Sequence, residues 1–286
     1  MTPVTQHRDD SSGEEAGRHG AGDAENEQDS PIEPKLDDAF SRIVEEGEQR
    51  LGRDMTAMAA TGLMAGMEVG IGILALLVVE ARTGSTMLGG VAFSIGFLAL
   101  LLGHSELFTE GFLIPVTTAA AGRARWGDLA RFWVVTLTTN LLGGWIITWF
   151  AITGFPEIRL TAIRSASQFV DAGIGTRSLA LGVLAGAVIT LMTRMQHGTD
   201  SVPARILASV ACAFVLAGLP LFHSILDSLV IFAGLHTDRS PFGYLDWLRF
   251  LGWSVLWNMV GGIGFVTLLR LVRSRKRVIQ DREAAS

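Results

Sequence analysis

Three short motifs recur in the same order at nearly constant spacing, each inside an apolar stretch. Gly62-Leu63-Met64-Ala65-Gly66 returns as Gly182-Val183-Leu184-Ala185-Gly186, His104-Ser105 returns as His223-Ser224, and Asn140-Leu141-Leu142-Gly143-Gly144 returns as Asn258-Met259-Val260-Gly261-Gly262. The offsets are 120, 119 and 118 residues. The apolar stretches run at about 56–80, 87–122, 132–155, 177–195, 204–235 and 244–272. A helix needs about 20 apolar residues to cross a bilayer. The first, third, fourth and sixth stretches fit one crossing each. The second and fifth are too long for one straight helix and are interrupted at Gly103-His104-Ser105-Glu106 and from Pro220 to Ser224. Each repeat therefore holds three crossings, and an odd number inverts the second copy. The expected fold is an all-α integral membrane protein of six transmembrane helices, a 3+3 inverted repeat with its second and fifth helices broken. Such repeats build channels and transporters whose broken helices meet near the bilayer midplane.

Composition supports a membrane protein. Hydrophobic residues make up 49% and charged residues 18%, against roughly 25% charged in soluble domains. The charge is also segregated, with a net of −9 over residues 1–55 and +4 over 56–286. Residues 1–34 are acidic and apolar-poor and are expected to be a disordered tail; no signal peptide is read in them. Residues 35–55 place Leu36, Phe40, Ile43, Val44 and Leu51 at helical spacing, an amphipathic helix that either lies on the membrane or docks on its own protein. Residues 56–275 form the channel domain, and 276–286 a polar C-terminal tail. Thirteen Arg and Lys flank the crossings on the side of the termini and six flank the other. That excess places both termini in the cytoplasm and the chain in the cytoplasmic membrane.

Other classes are disfavoured. Cys212 is the single cysteine, which excludes a disulfide scaffold, and it reads as a packed small residue. No basic recognition face suggests nucleic acid. No phosphate-binding loop, metal-ligand cluster or Gly-x-Ser-x-Gly suggests enzyme chemistry or a cofactor. The Asn-Pro-Ala pairs of an aquaporin are absent.

Ionisable residues at membrane depth are costly and are functional candidates; here they are Glu68, His104, Glu106, Glu110, His223 and Asp227. Glu106 and Glu110 flank the break in the second crossing, where they could cap free backbone or line a pathway. His223 follows Pro220 at the start of a half-helix, where an imidazole can donate to an anion or exchange a proton. Asn140 and Asn258 are expected to bond backbone freed at the breaks, with a pore-lining role as the alternative. The Gly-x-x-x-Gly pairs read as close helix packing.

Phe93, the run Gly103-His104-Ser105-Glu106-Leu107-Phe108-Thr109, the His223-Ser224 pair and Asn258-x-x-Gly261-Gly262 resemble the formate/nitrite transporter family over about residues 36–275. The resemblance implies an aquaporin-like protomer in a homopentamer, each protomer with its own pore for small monovalent anions such as formate, nitrite, hydrosulfide or lactate. It implies that Leu107 and Phe108 form a hydrophobic constriction with Phe93. It further implies that Thr109 bonds the central His223, that Leu216 stands near the other constriction, and that Asn258 supports the broken helix. The chain departs from better-known members at Pro220-Leu221-Phe222, Gly186, Asp227 and Glu110, which marks a divergent branch.

The expected function is a channel that passes a small weak-acid anion, with a proton, across the bilayer. Apolar rings penalise a bare charge by several kcal/mol, so the neutral acid crosses them after protonation near His223. Ser224 and, less directly, His104 belong to the candidate pathway. The rival readings are a facilitator of neutral solutes, an intramembrane hydrolase using Ser105 or Ser224, and a scaffold that no longer transports. Adjacent His-Ser pairs on one helix diverge by about 100°, which disfavours the hydrolase.

Overall fold

The computed structural model describes residues 33–285; the expectation of a disordered acidic tail falls almost wholly outside them. Helix α1 spans Glu33–Leu51, and α2 spans Met55–Thr83. Asp54 caps α2 by accepting from the Thr56 and Ala57 backbone N–H groups at 2.9 Å, as an N-cap carboxylate does. Helix α3 is Thr86–Gly103, followed by a short 3-10 turn at Phe108–Phe112 and α4 at Ile114–Ala120. Helix α5 is Trp126–Gly154, α6 Arg159–Val170 and α7 Thr176–His197. Helices α8 (Val202–Gly218) and α9 (Ser224–Leu235) form the second broken pair. Helix α10, Tyr244–Met259, runs through a π-helical stretch at Val260–Thr267 into α11, Leu268–Arg273, and α12 spans Arg275–Ala285.

Five of these segments are long and apolar enough to cross a membrane: Met55–Thr83, Thr86–Gly103, Trp126–Gly154, Thr176–His197 and Tyr244–Arg273. The fifth expected crossing is shared between α8 and α9, which are shorter and apolar. Among the described residues there is no strand. The breaks fall where polar residues and Pro220 interrupt the apolar runs. Helix α3 stops at His104, which adopts a left-handed backbone with φ of 53°, a conformation that non-glycine residues rarely accept.

The amphipathic helix docks on its own protein. Phe40 and Val44 pack with Ala121, while Ile43 packs with Leu113 and Ile114. Leu51 joins Met58 and Phe132. The polar C-terminal segment is helical: Val278 of α12 rests on the Phe40 cluster, and Arg282 donates to the Ala120 carbonyl at 2.8 Å. Helix α6 had no counterpart in the sequence reading.

The repeat is written in backbone contacts. A Cβ on Gly66 would overlap the Asn140 carbonyl, and one on Gly186 would overlap the Asn258 carbonyl. The reciprocal contacts are Gly143 on the Leu63 carbonyl and Gly261 on the Val183 carbonyl. Only glycine lets the crossing helices approach this closely. The same contacts recur at the expected offsets, so the two halves pack alike.

Candidate functional site

Two asparagines hold the broken helices. Asn140 Oδ1 accepts from the Phe108 N–H at 2.8 Å, and its Nδ2 donates to the Gly62 carbonyl at 2.7 Å and the Glu106 carbonyl at 3.0 Å. Asn258 Oδ1 accepts from the Ser224 N–H at 2.8 Å, and its Nδ2 donates to the Gly182 carbonyl at 2.9 Å and the Phe222 carbonyl at 2.8 Å. Both side chains are fully buried. Each uses both amide donors and its acceptor, so the backbone groups it meets do not go unpaired away from water. The position of Asn258 is therefore that of a clamp on backbone.

These bonds correct the register read from the motifs. Phe108 corresponds to Ser224 and Glu106 to Phe222, so His223 matches Leu107, at an offset of 116 residues. A further pair agrees: the Glu106 N–H points to the Thr61 carbonyl at 3.5 Å, and the Phe222 N–H to the Leu181 carbonyl at 3.4 Å. The His104-Ser105 match to His223-Ser224 is thus out of structural register by three residues. His104 is exposed at the end of α3, not held at the centre.

His223 is buried at the N-cap of α9. Its Nδ1 accepts from the Leu226 N–H at 3.1 Å, and its backbone N–H donates to Asp227 Oδ2 at 2.7 Å. A nitrogen that accepts carries no proton, so the imidazole is the neutral tautomer with its proton on Nε2. That Nε2 lies 3.1 Å from Thr109 Oγ1, which places the proton between the two broken arms. Asp227 Oδ1 and Ser224 Oγ are buried without a hydrogen-bond partner among the described residues. Ser105 Oγ donates to Glu68 Oε1 at 3.0 Å. Neither serine faces a histidine nitrogen, so no nucleophile–base pair is formed here.

Phe93, Leu107, Phe108 and Leu216 are all buried in one apolar cluster. Phe93 stacks edge-on against Phe97 with centroids 5.0 Å apart, and Phe108 against Phe112 at 5.3 Å. On either side of this zone lies a cavity. One, of about 310 Å³, is lined by Glu80, Ser165, Leu216, Pro220 and Asp227. The other, of about 460 Å³, is lined by Glu46, Arg50, Arg53, His104 and Glu106. Arg53 and Glu80 stand at opposite ends of α2, roughly 40 Å apart at 1.5 Å per residue, so the cavities open at opposite ends of the molecule. His223 and Thr109 line neither cavity. Leu216 and Asp227, the latter bonded to the His223 backbone N–H, border the first cavity.

The cavity beside α1 is lined by a charge network that sequence reasoning missed. Glu106 Oε1 pairs with Arg53 at 2.7 Å and stands 3.9 Å from Arg50. Glu46 pairs with Arg50 at 2.6 Å and with His197 Nε2 at 2.9 Å. His197 Nδ1 faces the Thr193 carbonyl at 2.7 Å, so both ring nitrogens meet oxygen partners. Burial pushes the Glu46 carboxyl up, but the His197 hydrogen bond and the Arg50 charge outweigh it and hold it at about 2. Glu110 is buried within electrostatic reach of Arg50 and His197. Only the placement of His197 in the last turn of α7 could have hinted at this; its partner lies 151 residues away.

Known proteins share this architecture. The Formate channel FocA of Escherichia coli is 25% identical over 222 residues, covering 72% of this chain and 76% of that protein. A solved structure described as an FNT family ion channel superposes with a TM-score of 0.69 at 19% identity, over 81% of this chain and 96% of its own. Another, described as a pentameric formate channel with formate bound, superposes at 0.62 with 19% identity, over 76% and 96%. A family profile, Formate/nitrite transporter, matches residues 37–272. The chain belongs to the formate/nitrite transporter family of multi-pass membrane proteins.

Proposed function

We propose that the chain is a channel for a small monovalent weak-acid anion, with formate the leading candidate, working as a homopentamer in the cytoplasmic membrane with both termini inside. The observation that carries this reading is the Thr109–His223 contact at 3.1 Å, buried among apolar side chains between two cavities at opposite ends. Relatives named as formate channels support the choice of substrate, and the pentameric neighbour supports the assembly. The excess of Arg and Lys on the side of α1 and α12 supports the orientation.

The chemistry follows from the donors at the centre. An anion leaving water for the zone of Phe93, Leu107, Phe108 and Leu216 loses several kcal/mol of solvation. The Nε2–H of His223 donates to Thr109 Oγ1, which leaves the Thr109 hydroxyl hydrogen free to donate to an anion, and bonds to a charged acceptor are the stronger kind. Among the described residues, no acceptor is found for the Ile225 N–H in the first turn of α9, which adds a backbone donor at a positive helix end. The anion is held there, takes a proton, and leaves as the neutral acid. The proton is taken up as hydronium from the more acidic bulk phase and returned to water on the far side, because Nδ1 of His223 is committed to the α9 cap. The test is flux into liposomes holding the purified protein. Formate flux should rise as pH falls and exceed that of an uncharged solute of equal size. Equal flux of formate and the uncharged solute at every pH would favour a neutral-solute facilitator instead.

A further inference from the structure

A third cavity, of about 480 Å³, lies away from the other two, between α7 and the last membrane helix, with Ala39 of α1 at its edge. Its size is that of a small-molecule site. Its long walls are apolar: Leu184 and Leu191 on one side, and Phe265 and Leu269 on the other, all exposed. Its end is cationic. Arg194 stands in the last turn of α7, and Arg270 and Arg273 in the last turn of α11, and all three line the cavity. Arg194 lies within electrostatic reach of Arg270. Among the described residues, none of the three forms an ion pair or side-chain hydrogen bond.

Three unpaired like charges at one end of an apolar slot call for an anion that carries an apolar chain. We infer that this groove binds an acidic phospholipid, its phosphate on Arg194, Arg270 and Arg273 and an acyl chain between α7 and the last helix. Basic pockets between membrane helices bind acidic headgroups in this manner. The acidic N-terminal segment matches the charge, but it is apolar-poor and offers nothing to fill the slot. A free phosphate would leave the apolar walls uncovered.

The test is native mass spectrometry of the full chain in detergent, with added phosphatidylglycerol or phosphatidylcholine of identical acyl chains. Wild type should retain phosphatidylglycerol in preference. At about five-fold per arginine, Arg273→Gln alone should weaken that preference about five-fold. The triple Arg194→Gln, Arg270→Gln, Arg273→Gln chain should weaken it on the order of a hundred-fold. Should the triple chain fail to fold, Arg194→Gln and Arg273→Gln singly decide the matter. Equal retention of both lipids by wild type, or an unchanged preference in the variants, overturns the proposal. So does displacement of phosphatidylglycerol by inorganic phosphate at millimolar concentration, which would leave the acyl chain no part. A gain in lipid binding when Asp23, Glu25, Glu27 and Asp29 are changed to their amides would give the groove to the N-terminal segment. Loss of the oligomer in Arg273→Gln would make it an interface between copies.

Discussion

Replacing His223 by Asn separates the cap from the donor. Asn is among the best N-cap residues, so its side-chain oxygen can take over the Leu226 N–H now held by Nδ1 at 3.1 Å. The backbone N–H of residue 223 still reaches Asp227 Oδ2. The start of α9 should therefore survive at a cost of a few tenths of a kcal/mol. The Nε2–H that meets Thr109 is lost, and the shorter side chain does not reach as far. Without that bond the Thr109 hydroxyl is no longer held toward the anion, and a hydrogen bond to a charged group is worth about 1.5–3 kcal/mol, which converts to about 10- to 150-fold in flux of the anion. The deficit should be largest near pH 7, where a weak acid is almost wholly ionised. It should shrink toward pH 5, where more of the solute arrives neutral and needs less help. The assay is formate flux into liposomes from pH 5 to 8, with the oligomer checked by size exclusion. Superimposable profiles for wild type and His223→Asn, at equal protein and intact assembly, would refute the role given to the imidazole.

Asn258→Ala should cost about 2–6 kcal/mol, since the Ser224 N–H and the Phe222 carbonyl lose their partner in a buried break and each unsatisfied group costs about 1–3 kcal/mol; thermal melting of the purified oligomer checks this, and Asn140→Ala should behave alike. Phe108→Ala should widen the apolar zone and let larger acids pass, at a core cost of about 3–5 kcal/mol, read by flux over acids of increasing size and by melting temperature. The third concerns pH. The Glu46 carboxyl is held below its ordinary value of 4.5, at about 2, so its contribution to docking α1 is complete above 4.5 and is lost as pH falls from there toward 2. Hydrogen exchange in α1 should be unchanged by this group between pH 7 and 5 and should rise only below about 4.5.

The positions of the breaks were legible because polar and helix-breaking residues interrupt long apolar runs, at His104-Ser105-Glu106 and at Pro220. The glycine and asparagine motifs were legible because close helix approach and backbone clamping demand those residue types. The register between the arms was not. His104-Ser105 and His223-Ser224 agree in letters, while equivalence is set by which backbone groups Asn140 and Asn258 bind. Helix α6 escaped notice because its residues are mixed in polarity and fell in a connection. The π-helical stretch at Val260–Thr267 packs on α7, where Gly261 meets the Val183 carbonyl, and no local pattern announces such a contact. The Glu46–His197 pair joins segments far apart in the chain and left no spacing to read.

The asparagine clamps have an evolutionary consequence. They grip only peptide groups, never a side chain of the segment they hold. The clamps are therefore indifferent to what residues 107 and 223 carry, and one socket holds a leucine while its twin holds an imidazole. A lineage built on such a jig can exchange the chemistry at the centre one residue at a time, provided that a residue at 223 still caps α9.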